Sequence, residues 1–131
     1  MSEVTITRPF ISWYCINQFV IDKSRQGSVR ISKFINHEQA DGRTWLCDVY
    51  VERGFRHQGI AHRLIETAIR VARKHGATAL YLYCYKGMFP FYESLGFRAT
   101  GAENPNVPEG QKPQYEMMVP IEDYLRQLPK K

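Results

Sequence analysis

Hydrophobic and polar positions change rhythm twice along this chain of 131 residues. Phe10 to Asp22, FISWYCINQFVID, is crowded with aromatic and β-branched residues, a composition that favours one extended strand over a helix. KSRQG follows as a turn ending at Gly27. SVRISKFI alternates Val29, Ile31 and Phe34 with polar residues and reads as a half-buried strand. NHEQADG is a second turn, and TWLCDVYV, Thr44 to Val51, a third strand. Short turns between such runs predict an antiparallel meander.

From Ile60 the period becomes helical. Ile60, Ala61, Leu64, Ile65, Ala68, Ile69 and Ala72 form one apolar stripe, with Arg63, Glu66, Arg70 and Arg73 on the opposite side. Lys74 and His75 suit the negative end of the helix dipole, and Gly76 is a natural stop. ALYLYCY, Ala79 to Tyr85, is nearly all apolar and reads as a strand buried on both faces. MFPFYESLG is a short helix that tolerates Pro90 in its first turn and closes at Gly96. FRATG then gives a strand, AENPNVPEGQKP a loop from Ala102 to Pro113, YEMMVPI a last strand, and EDYLRQLPKK a surface helix fraying at Pro129. The order β-β-β-α-β-α-β-β describes a mixed α/β fold. Its central sheet is mostly antiparallel, and the helix Ile60 to Lys74 makes a right-handed crossover between parallel neighbours.

Composition narrows the class without choosing a function. The length suits a single domain over residues 1–131. Hydrophobic residues make up 44% and charged residues 24%, as in globular proteins. No apolar run approaches the roughly 20 residues of a membrane span. MSEVTITRPF lacks the basic-then-apolar layout of a signal peptide, so the expected location is cytoplasmic. Cys15, Cys47 and Cys84 are an odd set without a CxxC pair, which argues for buried reduced thiols and against a disulfide framework or a metal site. A net charge of +5 permits nucleic acid as a partner, yet equally suits a multiply anionic small molecule such as a coenzyme. Neither a zinc-finger spacing nor an RNA-binding aromatic repeat is present, which disfavours nucleic acid.

Candidate chemistry concentrates in YVERGFRHQGIAHRLIETAI, Tyr50 to Ile69. The start of a helix leaves backbone N–H groups without partners and carries partial positive charge, so it receives anions readily. Here the amides of Arg56, His57, Gln58, Gly59, Ile60 and Ala61 are expected to face one concavity. Gly59 and Ala61 allow close approach, and Arg56 adds a fixed charge. The segment is neither a GxxxxGK[ST] phosphate loop nor a GxGxxG dinucleotide fingerprint.

Arg56, Gly59 and Ala61 fit the pattern [RQ]xxGx[GA], CDVYV leads into it as a strand, and PFYESLGFR, Pro90 to Arg98, follows later. Together, over about Thr44 to Gly101, these segments resemble the GNAT N-acetyltransferase superfamily. That resemblance implies a GNAT-like fold with helices on both faces of the sheet and a shortened N-terminal region. It implies acetyl-CoA as cosubstrate and a primary amine as acceptor, whether small molecule, peptide or protein lysine. The diphosphate would rest on the amides of Arg56 to Ala61, and the backbone of Val49 and Val51 would hold the pantetheine arm. Tyr92 matches the tyrosine that assists departure of the thiolate. Asp48 stands where many relatives carry an acid facing the acceptor, and it, Glu52 or a water would handle the amine proton. Tyr85 replaces the asparagine found in many relatives seven residues before that tyrosine. Relatives often dimerise through C-terminal strands, so a homodimer is compatible with the resemblance.

Other residues offer less. Cys84 lies in an apolar strand without a nearby histidine, and His57 and His62 have no companion at metal-ligand spacing. The alternative function is an inactive coenzyme-binding module acting through a basic surface drawn from Arg8, Arg25, Arg30 and Arg98.

Overall fold

The computed structural model describes residues 4–6, 10–12, 15–22, 27–34, 43–51 and 59–128. The chain divides into two compact units, Met1–Ala77 and Thr78–Lys131.

In the first unit, strands β1 (Val4–Ile6), β2 (Phe10–Ser12), β3 (Cys15–Asp22), β4 (Gly27–Phe34) and β5 (Thr44–Val51) precede helix α1 (Ile60–Lys74). β3 pairs antiparallel with β1, β2 and β4, and β4 with β5, which is the expected meander with an added edge. The single strand expected over Phe10 to Asp22 is instead two strands, with Ser12 opposite Cys15. Strand propensity registers on both halves, but Trp13 and Tyr14 between them carry none of the Gly, Asn, Asp or Pro that mark a tight hairpin.

Gly27 also differs from expectation. It is the first residue of β4 rather than the end of a turn, and it faces Val51 of β5. A Cβ there would stand 2.9 Å from the Tyr50 carbonyl oxygen and 3.0 Å from side-chain carbons of both Ile60 and Leu64. Glycine is needed because the helix lies that close to the strands. α1 packs on β3, β4 and β5. Leu64, Ile65, Ala68 and Ile69 are fully buried, each of the larger three contributing about 2 kcal/mol by leaving water. Val71 joins them, while Ala61 is only half-buried. The helix stops as its sequence predicts: Gly76 takes φ +90° and the Ala77 amide donates to the Ala72 carbonyl at 3.0 Å, closing a Schellman turn.

The second unit contains β6 (Ala79–Cys84), a 3₁₀ turn (Lys86–Met88), α2 (Phe89–Ser94), β7 (Arg98–Glu103), β8 (Tyr115–Pro120) and α3 (Ile121–Arg126). β8 lies antiparallel to both β6 and β7. Its core gathers Leu80, Leu82, Phe97, Met117, Val119 and Ile121. β6 is not buried on both faces. Leu80, Leu82 and Cys84 point inward, whereas Ala79, Tyr81 and Tyr83 are half-buried and Tyr85 lies beyond the strand, exposed. An alternation of aliphatic with aromatic residues reads as uniformly apolar, although tyrosine tolerates a wet face.

α2 begins with Pro90 in its first turn, and Gly96 follows it at φ +99°, as expected. β7 runs two residues into the expected loop. Its ladder with β8 is irregular between Ala99 and Glu103, where Gly101 sits at φ +93°. Ile121 opens α3 instead of ending β8, its amide donating to the Thr78 carbonyl at 3.0 Å, and the helix closes at Arg126. The expected fraying at Pro129 falls outside the described residues.

Candidate active site

The end of β5 departs from a regular ladder. Tyr50 faces Ser28 and Cys47 faces Arg30, so Asp48 and Val49 together oppose the single residue Val29. Such a bulge bends its strand, increases the twist and removes a backbone group from the ladder. Two of the residues singled out in the sequence, Asp48 and Val49, occupy it, and Val51 lies two positions beyond Val49. Tyr50 is 53% exposed and Cys47 half-buried, against the expectation of a fully buried thiol.

α1 starts at a specialised terminus. Gly59 caps it with φ +79° and ψ 6°, in the left-handed region that glycine enters without steric cost. Its carbonyl accepts the first intrahelical bond from the Arg63 amide at 3.1 Å, so the amides of Ile60 and Ala61 precede the helical ladder. Among the described residues no side chain caps this end, and no acid occupies the first turn. Arg63 crowds positive charge onto the same end, its guanidinium Nη1 lying 3.7 Å from where a Gly59 Cβ would be. Its Nε is buried without a hydrogen-bond partner among the described residues. A cation at a helix N-terminus opposes the dipole, so this cluster favours an anion on both counts. Sequence reasoning placed Arg63 on the outer face. Its spacing of four from Gly59, which returns it to the same side of the helix, was the available signal. Arg56, His57, Gln58 and Glu52 lie outside the described residues.

In the second unit, Tyr92 of α2 is buried to 6% exposure between edge-on aromatic rings. Its centroid is 5.0 Å from Phe91 and 5.6 Å from Phe97. Burial first, and the charge of a Cys84 thiolate second, push the Tyr92 pKa up to about 12. Cys84 is itself buried, donates from Sγ to Met117 Sδ at 3.6 Å, and has its thiol pKa raised by burial. These surroundings disfavour any unpaired negative charge, so Tyr92 holds its proton and is able to donate it.

That proton has a thermodynamic consequence. An unfolded tyrosine ionises near pH 10, whereas folded Tyr92 ionises near 12. The folded state therefore binds the proton more tightly. The associated stability is complete below pH 10 and is lost as pH rises through 12. Between about pH 9 and pH 11, wild type should lose about 1 kcal/mol more than Tyr92→Phe in urea denaturation. Equal losses would contradict a buried, neutral hydroxyl.

Asp48, Val49 and Val51 thus share β5, Gly59, Ile60 and Ala61 share the start of α1, and Tyr92 belongs to the second unit. Among the described residues no group of three His, Cys, Asp or Glu side chains could hold a metal ion, and no helix is long and apolar enough to cross a membrane.

The order and pairing of these elements are those of an acetyltransferase fold. Residues 11–97 match the model of the Acetyltransferase (GNAT) family, and the chain belongs to that family. No curated protein sequence matches it. Among solved structures, it is similar to nourseothricin acetyltransferase, with 20% identity, TM-score 0.64, and coverage of 82% of this chain and 66% of that one. It is similar to the ribosomal-protein-S18-alanine N-acetyltransferase from Escherichia coli, with 19% identity, TM-score 0.61, and coverage of 85% and 72%. A chain of the NatC complex bound to Gag peptide and CoA matches with 18% identity, TM-score 0.62, and coverage of 79% and 70%. The matched part thus spans about two thirds of the length of these structures, and at such identities the likeness establishes the fold.

Proposed function

We propose that this protein transfers the acetyl group of acetyl-CoA directly to a primary amine within a ternary complex. The observation that carries this reading is the start of α1. A fifteen-residue helix opens on a left-handed glycine with no acid in its first turn, and among the described residues no side chain caps it and the buried Nε of Arg63 has no partner. A diphosphate is the chemistry that such an end accepts. Arg56, His57 and Gln58 extend the same segment in sequence, completing the set of amides and charge that would hold it.

Bound acetyl-CoA supplies a thioester carbonyl, and the remaining demands fall on the chain's own groups. At the Asp48–Val49 bulge, backbone N–H groups of β5 leave the regular ladder. One N–H near Val49 aimed at a developing oxyanion is worth about 3 kcal/mol. Val49 and Val51 would align the extended arm by backbone bonds. An alkylammonium near pKa 10 must shed a proton before it attacks, and Asp48, Glu52 or an intervening water would receive it. Tyr92 would donate to the departing sulfur. Handing over its proton completely from a pKa of about 12 to a thiolate near 8.5 is uphill by about 5 kcal/mol, so a hydrogen bond to the sulfur is its main contribution.

Tyr92→Phe is expected to leave coenzyme affinity unchanged and to lower turnover about tenfold or more. Coenzyme A release measured against a panel of small amines, peptides and lysine-bearing proteins tests both the activity and this residue. Unchanged kcat in the variant would remove Tyr92 from the reaction. Absence of release with every acceptor would remove the reaction itself.

A further inference from the structure

The second unit contains a depression of about 620 Å³ that the coenzyme reading does not use. Ligand pockets commonly measure roughly 300–1,000 Å³. Tyr85, Lys86 and Gly87 form one wall, at the end of β6, and Gln111, Lys112 and Tyr115 stand across it, in the loop before β8 and at its first residue. Two lysines and two tyrosines therefore line it, and among the described residues no carboxylate does. Neither lysine takes part in the ion pairs seen among the described residues, such as Arg70 with Glu66 and Arg126 with Asp123. The nearest acids in sequence, Glu93, Glu103, Glu109 and Glu116, are absent from the lining, and Glu116 is buried.

This depression adjoins the helix that carries Tyr92. Tyr115 packs edge-on against Phe89 at a centroid distance of 5.9 Å, and Phe89 lies three residues before Tyr92 on the same side of α2. Tyr85, at the end of β6, is 44% exposed. Tyr92 itself is buried and does not line the depression, so the two are connected through Phe89 and Tyr115.

We infer that this pocket selects the amine acceptor by its carboxylate, Lys86 and Lys112 receiving the acid group while Tyr85 and Tyr115 cover an apolar or aromatic body. The inference rests on the acetyltransferase reading for its word "acceptor", and on the pocket alone for its anion. Lysine is suited to the task as a compact charge that needs no fixed angle of approach. An open mouth lets salt compete, so the selectivity should shrink as ionic strength rises.

The test has two arms. In the first, kcat/KM is compared for phenylalanine, phenylalaninamide and phenethylamine. The free carboxylate should be favoured about tenfold over the amide, chiefly through KM. The Lys86→Ala/Lys112→Ala double variant should abolish that preference without changing kcat for phenethylamine, and Lys86→Arg/Lys112→Arg should keep it. In the second arm, binding of 3-phenylpropanoate and of 3-phenylpropanamide is followed by NMR without coenzyme. The acid should bind more tightly than the amide in wild type and equally weakly in the alanine double variant. If no amine is acetylated yet the acid binds through the lysines, the pocket stands as an anion site and the acetyltransferase reading falls. Equal binding of acid and amide in wild type, or an acid preference that survives loss of both lysines, overturns the inference whatever the turnover.

Discussion

Gly59→Val is expected to weaken acetyl-CoA binding about a hundredfold while changing stability little. At φ +79° a β-branched residue is strained by about 1–3 kcal/mol. Space is not the obstacle, because an added Cβ meets only Arg63 Nη1, at an ordinary 3.7 Å. The strain is relieved by rotating the cap out of the left-handed region. That movement turns the amides of Ile60 and Ala61 away from their common direction. Losing one or two hydrogen bonds to a charged phosphate accounts for the hundredfold, since each is worth about 1.5–3 kcal/mol. Gly59 is exposed and its helix is anchored further along by Leu64, Ile65 and Ile69, so the fold survives. Titration calorimetry beside urea denaturation separates the two effects. Undiminished affinity would mean that the start of α1 is not the diphosphate site.

Gly27→Ala should produce the largest loss of stability from a single methyl group, about 3 kcal/mol, or about 10 °C in Tm. The new Cβ meets a backbone oxygen at 2.9 Å and two core side chains at 3.0 Å, so strands and helix must separate. Ile60, one of the residues struck, opens α1, and Gly27 pairs with Val51 at the end of β5. Coenzyme affinity should therefore fall along with stability, unlike the response at Gly59. A midpoint within 2 °C or so of wild type would contradict the close packing of α1 on β4.

These two glycines also mark where local sequence carries structure and where it does not. The boundaries of α1 and β5 were legible to the residue, because an apolar period of 3.6 ending on Lys74, His75 and Gly76 leaves few alternatives. Gly59 was marked in the sequence as the residue before that helix, but its left-handed φ of +79° required coordinates. Gly27 was misread as a turn, since its purpose depends on a helix more than thirty residues later in the chain. The separation of β2 from β3 escaped notice because Trp13 and Tyr14, the residues between them, carry no turn signal in the sequence. The bulge at Asp48 and Val49 is a property of pairing with β4, which no reading of β5 alone reveals. Tyr92 was found through its neighbours in the segment Pro90 to Arg98, but its burial between Phe91 and Phe97 required coordinates. Lys86 and Lys112 lie 26 positions apart and line one pocket because β6 and β8 are paired, with Cys84 opposite Tyr115.

The most direct trial of a diphosphate held at the mouth of α1 is a calorimetric comparison of acetyl-CoA with acetylpantetheine, which keeps the thioester arm and lacks the phosphates. Wild-type protein should bind acetyl-CoA at least about a hundredfold more tightly, and Gly59→Val should erase most of that difference. Equal affinity for the two ligands in wild type, or no heat from either, would contradict it.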